Sequence, residues 1–206
     1  MKKIVATMMA VGAVGLIPFS SASAYQAGDI IARGGTHYVN PSDGTDVAGV
    51  GKVAADGAWG VTGSFEYFIT PNIAADLLVA VPFKHDITLN GAKVGSVNDL
   101  PPVASVVWYP TVAPTIHPYL GVGVNYTLFW NEKTTGALAG THLSLDNSFG
   151  LAGLVGVAVD LNKSWSVVVD ARYIDLDTKA KVREVGNLGS ISVDPFAYGL
   201  SIGYKF

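Results

Sequence analysis

The side chains able to do chemistry in this chain are few and scattered. Its four histidines, His37, His85, His117 and His142, lack the short spacings by which metal ligands recur. His37 falls in a strand candidate and reads as a lumen or rim residue; the other three fall in connecting segments. Asp175 and Asp177 could share a cation at a rim, although solvated loop carboxylates are the simpler reading. Gly121-x-Gly123 lacks the following helix of a dinucleotide fingerprint, so these glycines read as room-makers in a crowded interior. No Ser, His and acid set falls on one face. The expectation is no catalysis, no cofactor and no metal. What remains is a set of isolated charges: Arg33, Glu66, Asp76, Asp160, Asp170, Arg172 and Lys205. All fall on the same parity of otherwise apolar segments, and the chemistry open to them is ion pairing in a shielded interior.

The segments that must position these charges alternate with period two. In the last one, Phe196, Tyr198, Leu200, Ile202, Tyr204 and Phe206 interleave with Ala197, Gly199, Ser201, Gly203 and Lys205. Similar segments span 30–39, 59–69, 73–83, 103–109, 119–130, 149–160, 165–173 and 196–206. Most have the length a tilted strand needs to cross the hydrocarbon layer. Their apolar faces carry no charge, and their opposite faces are dominated by Gly, Ala, Ser and Thr. A soluble barrel would turn charges to water and bulk inward. Here the small residues fit the narrow inside of an eight-stranded barrel, and the bulky ones fit lipid. The segment 103–109 does not sort: Val103, Ser105, Val107 and Tyr109 oppose Ala104, Val106 and Trp108. Connections alternate between compact (70–72, 110–117, 161–164) and long (40–58, 84–102, 131–148, 174–195). Long loops belong on the extracellular side, with an Asn90-Gly91 hairpin standing above the membrane.

Composition agrees. Charged residues are 14%, against about 25% in ordinary soluble domains. Mean hydropathy is positive, there is no cysteine, and the chain has 24 glycines. Lys2-Lys3, an apolar run over 4–17 and Ala22-Ser23-Ala24 predict a signal peptide over 1–24, leaving 25–206 as one domain. An apolar exported chain with no spanning helix after its leader points to a closed barrel, which satisfies its backbone groups in lipid. A net charge of −3 argues against nucleic acid as a partner.

The chain resembles the OmpW family of small outer-membrane barrels, which includes hydrocarbon-uptake proteins of the AlkL type. The resemblance rests on Ala27-Gly28-Asp29 with Arg33-Gly34-Gly35, Val81-Pro82-Phe83-Lys84-His85-Asp86 and Leu100-Pro101-Pro102. It continues through 118–127, Tyr173-Ile174-Asp175-Leu176-Asp177-Thr178 and Val193-Asp194-Pro195-Phe196. It implies an all-β, eight-stranded antiparallel transmembrane barrel in the bacterial outer membrane, in contact with its lipid. The implied role is passive uptake of small, mostly hydrophobic molecules. The final strand resembles the closing strand of such barrels, so Phe206, Tyr204 and Ile202 are expected to be read by the barrel-assembly machinery. Arg172 stands where many members carry Trp, which argues against a purely apolar interior.

Two site expectations follow. A turn symmetric about Pro71 sets Glu66 opposite Asp76, both inward, with Arg33 beside them and Arg172 reaching across. With Asp170, Asn125 and Leu78 these residues are expected to line and gate the lumen, as a charged plug in the periplasmic half without a continuous water pore. Pro82, Pro101 and Pro102 face one seam between the third and fourth segments. Proline has no N–H for a ladder, so a lateral opening to the outer leaflet is expected there, unless the prolines only end the strands. A narrow channel for small polar solutes and a structural or surface-interaction barrel remain as alternatives.

Overall fold

Among the described residues, period-two alternation is realised as fifteen strands, numbered in chain order. They are β1 (Ile30–Asn40), β2 (Thr45–Val47), β3 (Gly51–Ala55), β4 (Ala58–Thr70), β5 (Ile73–Ala80), β6 (Phe83–Leu89), β7 (Ala92–Leu100) and β8 (Val103–Trp108). The series continues with β9 (Ile116–Thr134), β10 (Leu143–Leu145), β11 (Ser148–Asp160), β12 (Trp165–Ile174), β13 (Asp177–Val182), β14 (Gly186–Ser192) and β15 (Phe196–Lys205). The computed structural model describes residues 25–42, 44–47, 49–184 and 186–206, so the leader expected over 1–24 lies outside the described residues.

Eight strands close on themselves in the order β1-β4-β5-β8-β9-β11-β12-β15, each antiparallel to its neighbours. The closing pair runs from Ile31↔Lys205 to Asn40↔Phe196. Closure leaves no open edge among these eight, the condition for spanning lipid with strands. The outer face is exposed and bulky: Trp59, Val61, Phe65, Val122, Phe149 and Leu151 all stand out from the wall. Aromatic rings gather at both ends. Tyr38 lies against Trp59 and Tyr173 against Phe196 at one end, and Trp165 against Tyr204 and Tyr204 against Phe206 at the other. These are the two interfacial girdles.

The segment that resisted sorting is resolved by its neighbours. In β8, Val103, Ser105 and Val107 are buried inside and Val106 and Trp108 face out, with Tyr109 continuing the inner set. The long connections expected as loops are largely strand. The upper half of β9 leaves β8 and pairs β7, extending the wall through β6 and β3 to β2. A second sheet, β10-β13-β14, closes the other side. The physical reason lies in their own alternation. Leu176, Thr178, Ala180 and Val182 are buried while Asp177, Lys179 and Lys181 are exposed, so this segment has an apolar face to cover. His85 and His117 accordingly sit on β6 and β9 rather than in loops. The Asn90-Gly91 turn joins β6 to β7 as expected, with both residues at positive φ.

Candidate functional site

The lower and middle lumen is filled by polar side chains that pair with one another, while Arg33 Nε, Asp76 Oδ1 and the Tyr119 hydroxyl make no hydrogen bond. Glu66 on β4 stands opposite Asp76 on β5, and each has its own guanidinium. Arg33 Nη2 donates to Glu66 Oε2 at 2.6 Å and to the Tyr109 hydroxyl at 2.7 Å, and that hydroxyl donates to Glu66 Oε1 at 2.7 Å. Arg172 Nη1 donates to Asp76 Oδ2 at 3.2 Å and its Nε to Asp170 Oδ2 at 2.9 Å. His37 joins this layer through Asp170 Oδ2 at 3.3 Å and Thr62 Oγ1 at 2.7 Å. All of these charged groups are buried, so each pair must be complete to offset its desolvation. Space for His37 and Asp170 comes from Gly199 on β15, where a Cβ would strike both.

Beneath this layer lies an aromatic floor. The Tyr25 ring stacks on Phe68 at 4.3 Å between centroids and meets Tyr109 edge-on at 5.3 Å. Tyr119 packs on Tyr109 and presents its ring to Arg33 at 5.2 Å. His117 closes the rim, 2.8 Å from Asp160.

Above the charged layer the interior changes character. Leu78, Val103, Ala152, Ile174 and Leu176 form an apolar partition, with Phe129 and Val193 packed on it. Over it opens a cavity of about 150 Å³, lined mainly by aliphatic side chains including Val53, Ile87, Val94, Val97, Val182 and Ile191. An apolar cavity of about this volume admits a benzene-sized guest. The gap remaining in the charged layer, bounded by Arg33, His37, Leu78, Asp170 and Arg172, is about 10 Å³, at the lower limit for one water.

The three prolines lie together at one break in the wall. Pairing of β5 with β8 runs from Ile73↔Trp108 to Leu78↔Val103, and β6–β7 pairing begins at Phe83↔Asp99. Residues 79–82 and 100–102 have no register partner across this interval. The Pro102 carbonyl turns to the other side, accepting from Asn125 Nδ2 at 3.0 Å and from the Tyr126 N–H at 3.2 Å. Asn125 is fully buried and also accepts from Thr127, so it braces the wall behind the break. Pro101 lines the apolar cavity directly, which joins the cavity to the seam.

Of the expected lumen residues, the structure thus gathers Arg33, Glu66, Asp76, Asp170 and Arg172 into one layer. Leu78 sits in the partition and Asn125 at the seam. Ile202 and Phe206 are exposed on the outer wall, and Tyr204 lies between Trp165 and Phe206. Asp175 and Asp177 are both exposed, and Asp177 accepts from the Ser192 hydroxyl. Among the described residues no group of three or more His, Cys, Asp or Glu side chains is disposed to hold a metal. Sequence reasoning missed Tyr109, Tyr119 and Tyr25 as lumen fillers, and His37 as the partner of Asp170. The parity of Tyr119 and His37 within their strands was an available signal.

Comparison with known proteins agrees with this architecture. The model of the OmpW family matches residues 26–206. Outer membrane protein W of Escherichia coli (strain K12) is 35% identical over 199 residues, covering 90% of this chain and 92% of that protein. Outer membrane protein AlkL of Ectopseudomonas oleovorans is 32% identical over 157 residues, covering 71% of this chain and 65% of that protein. The crystal structure of OprG from Pseudomonas aeruginosa superposes with a TM-score of 0.80 at 30% identity, covering 90% of this chain and 99% of that one.

Proposed function

The chain belongs to the OmpW family of outer-membrane barrels, and from that premise we propose that it admits small, mainly hydrophobic molecules from outside and releases them sideways into the outer leaflet. The observation that carries this reading is the aliphatic cavity of about 150 Å³ that ends on the apolar partition above the filled polar layer and shares Pro101 with the seam. An apolar molecule gains by leaving water for such a cavity, at roughly 25 cal/mol per Å² of apolar surface buried. Further descent would place it among paired charges that offer it nothing. The unpaired interval at Pro82, Pro101 and Pro102 is the weakest stretch of wall beside it, because proline cannot complete a ladder. Leu78 and its neighbours turn the molecule toward that wall rather than downward. Transfer down a concentration gradient needs neither catalysis nor an energy source. Insertion of the barrel is assigned to recognition of Phe206, Tyr204 and Ile202 by the assembly machinery.

Replacing Pro82, Pro101 and Pro102 with Thr or Val restores ladder donors. Cells making equal amounts of folded wild-type and triple-variant barrel are expected to differ in uptake of a small hydrophobic substrate. Undiminished uptake by the variant rules out the lateral exit. The narrow polar channel is tested separately in planar bilayers, where the filled layer predicts no large, steady conductance; such a conductance would reinstate that reading.

A further inference from the structure

The aliphatic cavity holds one polar feature that its role as a container for hydrocarbon does not use. His85 on β6 and Asp99 on β7 both line it, and each is more than nine-tenths buried. His85 Nδ1 lies 2.6 Å from the Asp56 carbonyl oxygen. A carbonyl can only accept, so Nδ1 carries the hydrogen. The other nitrogen, Nε2, then faces Asp99 Oδ1 at 3.3 Å. In a neutral ring that contact sets a lone pair against a carboxylate. In a protonated ring it is an ion pair without hydrogen-bond geometry, for Asp99 Oδ1 has no hydrogen-bond partner. A buried carboxylate with this one loose contact costs free energy, and a donor brought from the cavity side to its other oxygen offsets that cost.

We propose that His85 and Asp99 form a head-group site, so that the cavity takes an aliphatic chain ending in a neutral hydrogen-bond donor, the class of primary alkanols. The inference rests on the cavity reading above and adds polarity to it. The chain occupies the aliphatic lining, and the terminal hydroxyl donates to the Asp99 carboxylate at Oδ2, since Oδ1 is enclosed against His85. A hydroxyl meets the site's need without carrying a charge across the apolar lining. Anionic ends are excluded, since they would face the carboxylate. The placement also bears on exit: Asp99 pairs with Phe83 at the first rung beyond the proline break, so the head group is held beside the seam.

The test is binding of 1-octanol, n-octane and octanoate to the purified barrel in lipid nanodiscs, for the wild type, Asp99→Leu and Asp99→Asn. Taking the ratio of variant to wild type for each probe cancels its partition into lipid. Octane binding serves as the control for an intact cavity. For Asp99→Leu, octanol affinity relative to octane is expected to fall about tenfold, the size of one hydrogen bond to a charged group. For Asp99→Asn, the drop is expected to be severalfold, because a neutral amide replaces the charged acceptor. An unchanged ratio in Asp99→Leu overturns the head-group site while octane binding keeps the cavity reading standing. Should Asp99→Leu fail to fold, an unchanged ratio in Asp99→Asn overturns it equally. Octanoate binding the wild type more tightly than octanol also overturns it. Failure of octane to bind the wild type overturns the cavity reading itself.

Discussion

The lower and upper halves of this lumen are built from the same pleat and the same inward parity, yet they end in opposite states. Below, charged and aromatic side chains from facing walls meet and fill the space: Arg33 with Glu66 and Tyr109, Arg172 with Asp76 and Asp170, Tyr25 on Phe68. Above, aliphatic side chains such as Val94, Val97, Val182 and Ile191 stop short of one another and leave a cavity. Length and direction of reach account for the difference. Arginine and tyrosine cross a narrow barrel and have partners to find, whereas valine and isoleucine cover a wall without spanning it. The lower half is therefore specified by pairwise complementarity and the upper half by what it leaves empty. The two halves should respond to mutation in different ways.

The largest stability effect belongs below. Arg33→Ala leaves Glu66 buried with only the Tyr109 hydroxyl, and removing one partner of a buried pair costs about 3–5 kcal/mol. The thermal transition of the folded barrel should fall accordingly. The double variant Arg33→Met/Glu66→Gln should recover much of the loss, because no uncompensated charge remains. Equal instability of the single and double variants would show that packing rather than charge pairing holds this layer.

A smaller loss is expected from Gly199→Val, which introduces bulk where His37 approaches Asp170. Overpacking of this kind costs about 1–3 kcal/mol and should be read in the same thermal transition. A silent substitution would mean that the lower half yields as readily as the upper.

Much of this contrast was legible in the chain and some was not, for one physical reason. Alternation is a local property, so the eight walls and the inward parity of Glu66, Asp76, Asp170 and Arg172 could be read segment by segment. The facing of Glu66 and Asp76 followed from a tight turn. Contacts across the lumen depend instead on the stagger of distant strands. His37 with Asp170, and Arg33 with Tyr109, join residues far apart in sequence that no local pattern links. Segment 103–109 resisted because both of its faces are apolar: one meets lipid and the other covers the partition and the floor. Apart from the hairpin at Asn90-Gly91, the upper sheets were missed because their alternation pairs small residues with charges, as in 176–182, rather than bulky residues with small ones.

In the upper half, Ala180→Phe should leave stability within about 1 kcal/mol, since the added ring enters existing space and buries apolar area. Uptake of a small hydrophobic substrate should nevertheless drop severely, because the ring occupies the volume the substrate needs. An uptake rate equal to wild type, with the barrel folded, would separate transport from this cavity.

The smallest effect lies at the extracellular rim, outside both halves. Glu184 accepts from His142 Nδ1 at 2.8 Å and from the His142 backbone N–H at 2.9 Å, and these bonds lower its carboxyl from 4.5 to about 2. A depressed carboxylate contributes stability that is full above its unfolded value and is lost as pH falls through its folded one. The contact should therefore hold at pH 5 and open as pH falls through about 2, its stabilising contribution declining from pH 4.5 downward. The two side chains are 69% and 39% exposed, so solvent and salt screen the pair and its release should not move the barrel's thermal transition. The reporter is the His142 backbone amide, followed by NMR across that range in wild type and Glu184→Gln. Its signal should shift with the carboxylate titration in the wild type and stay flat in the variant. A flat wild-type profile would mean that the rim pair does not form in solution. A concurrent fall in the thermal transition, absent from Glu184→Gln, would mean that the rim is coupled to the halves below.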